Sequence, residues 1–307
     1  MKKVLVATDK PFAKVAVQQI KQIVETGGYE LALLEKYTSV QQLLESVSDA
    51  NAVIIRSDLI TKEVVDAAKN LEIVVRAGAG YDNIDLNACS ARNIVAMNTP
   101  GQNANAVAEL VFGMMVVQAR NGFNGSSGTE LLGKKIGIHA YGNVGRRVAA
   151  IAKGFGMEVY AFDLFVTADA MKAEGVISVG SVEELYKTCQ YVSLHIPATE
   201  KTKNSINYNL LSLMPQGAVL INTARKEVIN EAELLKIMAE RPDFKYLSDI
   251  APDNKDDFAQ FAGRYFFTPK KMGAQTEEAN INAGVAAAHQ IVKFFQTGDD
   301  TFRVNKK

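Results

Sequence analysis

The sequence lacks most of what would mark a chain for an unusual partner or place. It has no net charge: 34 lysines and arginines stand against 34 aspartates and glutamates in 307 residues. That removes the electrostatic case for nucleic acid or an anionic membrane as a partner. Its two cysteines, Cys89 and Cys189, are too few and too far apart for a disulfide framework, so buried free thiols in a reducing cytoplasm are expected. The longest apolar tract, 104–119, is interrupted by Glu109 and is too short to span a bilayer. At the N-terminus Lys2 and Lys3 precede only a brief apolar run before Thr8 and Asp9, which reads as a first strand and not a signal peptide. No solenoid repeat is visible, and the only biased tract is the short Gly/Ser loop Asn121–Gly128.

What remains is ordinary globular composition, 48% apolar and 22% charged, with length enough for two cores. In the first hundred residues, short Val/Ile-rich runs (Val4–Ala7, Tyr29–Leu34, Ala52–Ile55, Ile73–Val75, Ile94–Met97) alternate with helical patterns (Phe12–Val24, Ser39–Val47, Thr61–Lys69). Such alternation predicts a doubly wound parallel sheet. A long helix over Ala104–Arg120 and the loop Asn121–Gly128, a candidate domain boundary, precede a second α/β series. The chain closes on a helix over Glu277–Gln296, expected to cross back to the first domain.

The second series opens on Lys134–Asp163. Ile136 and Ile138 begin a strand, Ala140-Tyr141-Gly142-Asn143-Val144-Gly145 makes a small-residue turn, and Val148, Ile151, Ala152 and Phe155 recur at helical spacing. Gly156 can end the helix; Val159–Phe162 is the next strand, and Asp163 follows 18 residues after Gly145. Small residues admit a pyrophosphate, the helix start offers N–H groups and a positive dipole end, and the acid can accept from a ribose diol. The usual first glycine is replaced by Ala140, whose side chain predicts a negative φ there. Asp163, with no arginine at Leu164 or Phe165, favours NAD over NADP.

Ligands of open α/β sheets sit at the carboxyl ends of strands. Arg56-Ser57 and Arg76-Ala77-Gly78-Ala79-Gly80 follow strands there, and their arginines are candidate anion ligands, the alternative being solvated surface side chains.

Taken together, Arg76–Asp85 (RAGAGYDNID), Met97–Gly101 (MNTPG), Val107–Leu110 (VAEL), the 140–145 turn with Asp163, Ser193–Pro197 (SLHIP), Ile221–Arg225 (INTAR), Leu247–Ile250 (LSDI) and Thr268–Ala279 (TPKKMGAQTEEA) resemble the D-2-hydroxyacid dehydrogenase family, in the family's order along the whole chain. The resemblance implies two doubly wound parallel-sheet domains. A Rossmann-type NAD domain (99–283) would be inserted into a flavodoxin-like substrate domain (1–98 plus 284–307), with a cleft between them, in a homodimer. Tyr141 to Val144 would cover the pyrophosphate. His195 and Pro197 would line the cofactor side, with Thr223, Ala224 and Asp249 at strand ends toward the nicotinamide. Arg225 would grip the substrate carboxylate and polarise its carbonyl, and the backbone of Ala77-Gly78-Ala79 would hold that carboxylate.

The chain departs from the family at two linked places. The acid/base histidine falls on Lys271, with Lys270 as close competitor, and the glutamate that orients it falls on Asn254, beside Asp253. Lys226 stands where the family has glycine. Of the three histidines, neither His139, in the nucleotide strand, nor His195, nor His289, in the last helix, is placed to substitute. Lys271 is therefore expected to carry the proton, its pKa lowered by partial burial and by Arg225. The two arginines Arg56 and Arg76 suit a small phosphorylated 2-hydroxy acid. A reductase for a phosphate-free 2-keto acid, and a dinucleotide-sensing protein without turnover, are the other readings. No metal is implied. The chain ends at Lys307 soon after its last helix, so no serine-sensing regulatory domain, and no serine feedback, is expected.

Overall fold

The structure, a computed structural model, describes residues 1–305. The chain divides into two compact units, Met1–Asn103 with Gln275–Lys307, and Ala104–Ala274. The Gly/Ser loop at 121–128 is thus inside the second unit. The long helix before it buries Val111 and Met115 in that unit's core, and Thr129 N–H returns to the Ala119 carbonyl at its end. The last helix is not divided at 283/284 but belongs whole to the first unit.

In the first unit, strands β1 (Lys3–Thr8), β2 (Glu30–Glu35), β3 (Ala52–Ile55), β4 (Ile73–Arg76) and β5 (Val95–Asn98) alternate with helices α1 (Lys14–Thr26), α2 (Val40–Val47), α3 (Lys62–Ala67) and α4 (Leu86–Ala91). All pairs are parallel, in the order β2-β1-β3-β4-β5, the flavodoxin-like arrangement. Strands buried on both faces cannot alternate apolar with polar, which explains their continuous Val/Ile runs. Val4 and Val6 face one core, Leu5 and Ala7 the other.

The second unit holds α5 (Ala104–Ala119), β6 (Lys135–His139), α6 (Asn143–Gly154), β7 (Glu158–Phe162), α7 (Ala168–Ala173), β8 (Ile177–Ser178), α8 (Val182–Thr188), β9 (Tyr191–Leu194), α9 (Tyr208–Ser212), β10 (Val219–Asn222), α10 (Glu231–Glu240), β11 (Lys245–Ser248) and β12 (Tyr265–Phe267). The parallel order β12-β11-β10-β9-β6-β7-β8 is a Rossmann sheet. The order reverses between β6 and β9, and there ligands are received. The final helix α11 (Glu277–Thr297) lays Ala283, Ala287, Ala288 and Ile291 against the β1 side of the first unit, beside α1.

Cys89 and Cys189 are buried free thiols, pushed by burial to about 11 and about 12. No helix among the described residues is long and apolar enough to cross a membrane.

Candidate active site

Two chain segments meet at the sheet reversal of the second unit. His139 ends β6 and pairs in register with Leu194, which ends β9; the His195 N–H donates to the His139 carbonyl at 2.9 Å. The turn 140–145 and the segment His195–Pro197 therefore leave the sheet side by side. Burial lowers the His139 imidazole to about 4 and the His195 imidazole to about 3. Both are neutral at pH 7, so no imidazolium opposes a cationic ring.

The turn is built for close approach. A Cβ on Gly145 would lie 2.4 Å from the Ala140 carbonyl oxygen, so only glycine lets helix α6 start directly beneath it. Helix α6 begins on Gly142, which has no side chain to cap it, whereas Asp85, Thr167, Ser181, Asn207, Asn230 and Thr276 each accept from the first turn of their own helices. Space over Gly142 is open: a Cβ there meets nothing within 4 Å. Uncapped N–H groups and the dipole leave an anion seat.

Two expectations for this turn are corrected. Ala140 has φ +81, not a negative value. Its N–H is held by the Phe162 carbonyl at 2.9 Å, and the next amide, Tyr141 N–H, donates to Asp163 Oδ2 at 2.7 Å. These two anchors, with Gly145 tight beneath, override the local preference of a residue with a side chain. Ala140→Gly is accordingly expected to raise stability. Relief of a left-handed alanine is worth ~1–2 kcal/mol, less the ~0.4–1 kcal/mol glycine gives back through chain entropy. A higher urea midpoint at unchanged slope checks this; a lower one would refute the strain.

The second concerns Tyr141, whose side chain is not free to cover a pyrophosphate. Its ring is buried in the core, its hydroxyl donates to Glu174 Oε2 at 2.9 Å, and Arg146, paired with Glu174, lies over the ring at 5.0 Å. Gly142, Asn143 and Val144 remain at the helix start, the first two exposed. Asp163, at the end of β7, accepts from three backbone N–H groups: Tyr141, Phe165 at 2.7 Å and Val166 at 3.0 Å. A carboxylate has about four lone-pair sites, so capacity for a ribose hydroxyl remains.

At the end of β10, Asn222 staples the next three residues. Its Oδ1 accepts from Ala224 N–H and its Nδ2 donates to the Arg225 carbonyl, each at 2.9 Å. Within this loop Thr223 is buried and its hydroxyl has no hydrogen-bond partner. The Ala224 carbonyl points to two cations. Arg225 Nη1 donates to it at 3.0 Å, and so does Lys271 Nζ at 3.0 Å. Residues 46 positions apart thus place an ammonium and a guanidinium on one oxygen. Lys271 is exposed, not partly buried as expected, because the loop after β12 runs on the surface.

Asp249, at the end of β11, is 2% exposed, and both oxygens turn to that loop. Oδ1 accepts from the Thr268 hydroxyl at 3.2 Å and Met272 N–H at 2.7 Å, and Oδ2 from Gly273 N–H at 2.8 Å. Asn254 lies on the neighbouring loop with its Oδ1 buried and unpartnered. Lys226, in place of a glycine, pairs with Asp253 at 2.5 Å and ties the Arg225 loop to the Asn254 loop.

In the first unit the order reverses between β1 and β3. Arg56, at the end of β3, fills this mouth: Nη1 donates to the carbonyls of Lys10 and Pro11 at 3.0 and 3.2 Å, Nη2 to Asn280 Oδ1 at 2.6 Å, and the guanidinium lies over Phe12. Burial lowers its pKa. The expected open anion ligand is a tie between the chain's two ends. Arg76 donates from Nε to the Arg56 carbonyl at 3.1 Å and folds over Gly78, whose φ of +149 favours glycine. Ser57 and Ala79 are exposed, while Ala77 is buried with its N–H on the Ile55 carbonyl. Sequence reasoning passed over Asp58, buried, which accepts from Asp9 N–H, the Tyr37 hydroxyl and Arg56 N–H. An acid two residues past a strand-end arginine was its only signal.

Residues 105–261 match the NAD binding domain of the D-isomer specific 2-hydroxyacid dehydrogenases. Hydroxypyruvate reductase from Thermotoga maritima is 30% identical over 86% of this chain and 91% of its own. The chain belongs to this family. Among its members, D-3-phosphoglycerate dehydrogenase from Methanocaldococcus jannaschii is 33% identical over 89% of this chain and 55% of its own; the present chain spans about half of that relative's length. The NAD⁺-bound crystal structure of 3-phosphoglycerate dehydrogenase from Entamoeba histolytica is similar at 48% identity and a TM-score of 0.87, covering 99% of both chains. The dehydrogenase family's cofactor fits what the second unit offers: the open uncapped helix start, the cradle over Gly145, the remaining capacity of Asp163 and the unpaired Thr223 hydroxyl.

Proposed function

We propose that the protein is an NAD-dependent dehydrogenase that oxidises D-3-phosphoglycerate to 3-phosphohydroxypyruvate, the entry step of serine synthesis, as a cytoplasmic homodimer. The observation that carries this reading is the convergence of Arg225 and Lys271 on the Ala224 carbonyl. Hydride transfer from a 2-hydroxy acid needs a cation for the carboxylate and a group to take the hydroxyl proton, close together.

NAD, seated at the start of α6, supplies the hydride acceptor. Gly142 to Gly145 hold its pyrophosphate and Asp163 its ribose, which disfavours a 2′-phosphate. His195, Pro197, Thr223 and Ala224 flank its nicotinamide end. Arg225 holds the substrate carboxylate with a planar pair of donors and draws charge toward the forming carbonyl. Lys271, in its neutral amine form, takes the hydroxyl proton as the C2–H bond breaks, and becomes the ammonium. Asn254, neutral where a glutamate would hold the ammonium charged, leaves the lysine able to cycle. Arg56 and Arg76, at strand ends of the first unit, carry the positive charge a doubly charged phosphate requires.

The occupation of Arg56 by Lys10, Pro11 and Asn280 favours one second reading, a hydroxypyruvate or glyoxylate reductase, which needs no phosphate ligand. Steady-state kinetics across a 2-hydroxy-acid panel, with NAD and NADP in parallel, decides. A higher kcat/KM for 3-phosphoglycerate with NAD supports the proposal, and a preference for the phosphate-free acids selects the reductase. Tight NADH binding with no turnover on the whole panel selects a dinucleotide sensor.

A further inference from the structure

We propose that Asp249 is the positioning residue for Lys271: its buried carboxylate latches the segment 268–273 and so sets the ammonium on the Ala224 carbonyl. The inference rests on Lys271 as the proton-transfer group, and gives Asp249 a task other than contact with the nicotinamide.

The geometry is that of a clamp with Lys271 inside it. Thr268, before the lysine, and Met272 and Gly273, after it, donate to one carboxylate at 3.2, 2.7 and 2.8 Å. Asp249 is itself fixed at the end of β11, its N–H on the Asn222 carbonyl at 2.9 Å. Asn222 is the same residue whose side chain staples the Arg225 loop. The two cations are thus referred to one point of the sheet, between β10 and β11. A carboxylate is the right group, because it accepts on both oxygens. An asparagine in its place would turn an NH₂ toward either the Met272 or the Gly273 N–H, donor against donor.

The test uses Asp249→Asn in the full chain. Small misplacements of a reacting group cost ~10²-fold, so kcat should fall by about that factor while the Kd for NADH, read by its fluorescence, stays unchanged. In a Lys271→Ala background the same substitution should add no further loss, since the two act as one unit. Independently of turnover, limited acylation of amines mapped by mass spectrometry should show Lys271 reacting faster in Asp249→Asn, toward the rate of Lys270. Should Asp249→Asn not fold, Gly273→Ala replaces it: its Cβ falls 2.8 Å from Asp249 Oδ2 and displaces the carboxylate with its charge intact. Weakened NADH binding with unchanged Lys271 acylation would overturn the proposal and return Asp249 to the cofactor. If Lys271→Ala itself keeps near-normal turnover, the assignment of Lys271 fails, while the acylation rates still report whether Asp249 holds it.

Discussion

Lys271→Ala is expected to lower kcat by ~10²–10⁴-fold, the usual contribution of a positioned proton-transfer group, with NADH binding retained. Lys271→Arg separates the two things a lysine can do. It keeps the positive charge, but a guanidinium does not give up its proton in a protein. If the role is proton transfer, arginine should be nearly as poor as alanine; if it is only charge, arginine should recover most of the rate. Lys270→Ala is the control, because the hydrogen bond to the Ala224 carbonyl belongs to its neighbour. Near-normal turnover in Lys271→Ala would end the assignment.

The second large effect is expected at Arg225. Arg225→Gln should reduce kcat/KM by ~10²–10³-fold, about 3–4 kcal/mol, the scale of losing one partner of a desolvated charge pair. Arg225→Lys should recover little of it, because a point charge cannot reproduce two parallel donors. The fold should survive both. The Arg225 loop is held by its backbone through Asn222, and the guanidinium's own bond within the protein is to the adjacent Ala224 carbonyl. Unfolding by urea should therefore change little in midpoint or slope. A large stability loss parallel to the activity loss would mean that Arg225 serves the structure first.

The strands were legible because parallel strands buried on both faces must be continuous Val/Ile runs: Ala52–Ile55 is visible in the sequence to the residue. Helices α4 and α7 were not: six-residue segments such as LNACSA and ADAMKA are too short to show a period, and the equally short α3 was read with the help of its opening Thr61. Only their caps, Asp85 and Thr167, could have marked them. At the site, residue types and their places at strand ends were readable, but their partners were not. Arg56 finds Asn280 across 224 positions, and nothing near either residue encodes that meeting. Ala140 is the sharpest case: local preference argues for a negative φ, and two long-range hydrogen bonds set a positive one.

The threefold grip of Asp163 on Tyr141, Phe165 and Val166 bears on attempts to re-engineer the protein. An acid at this point is the obvious target for anyone wishing to switch the chain to a phosphorylated dinucleotide. Here the same carboxylate is the acceptor for three amides, and exchanging it for serine or arginine takes the acceptor from the part-buried Tyr141 and Val166 N–H groups. A single exchange would loosen the glycine turn before it admitted a new phosphate. A successful switch must bring replacement acceptors for those amides along with the new cation, so the preference for one coenzyme is guarded by the architecture of the turn as much as by charge.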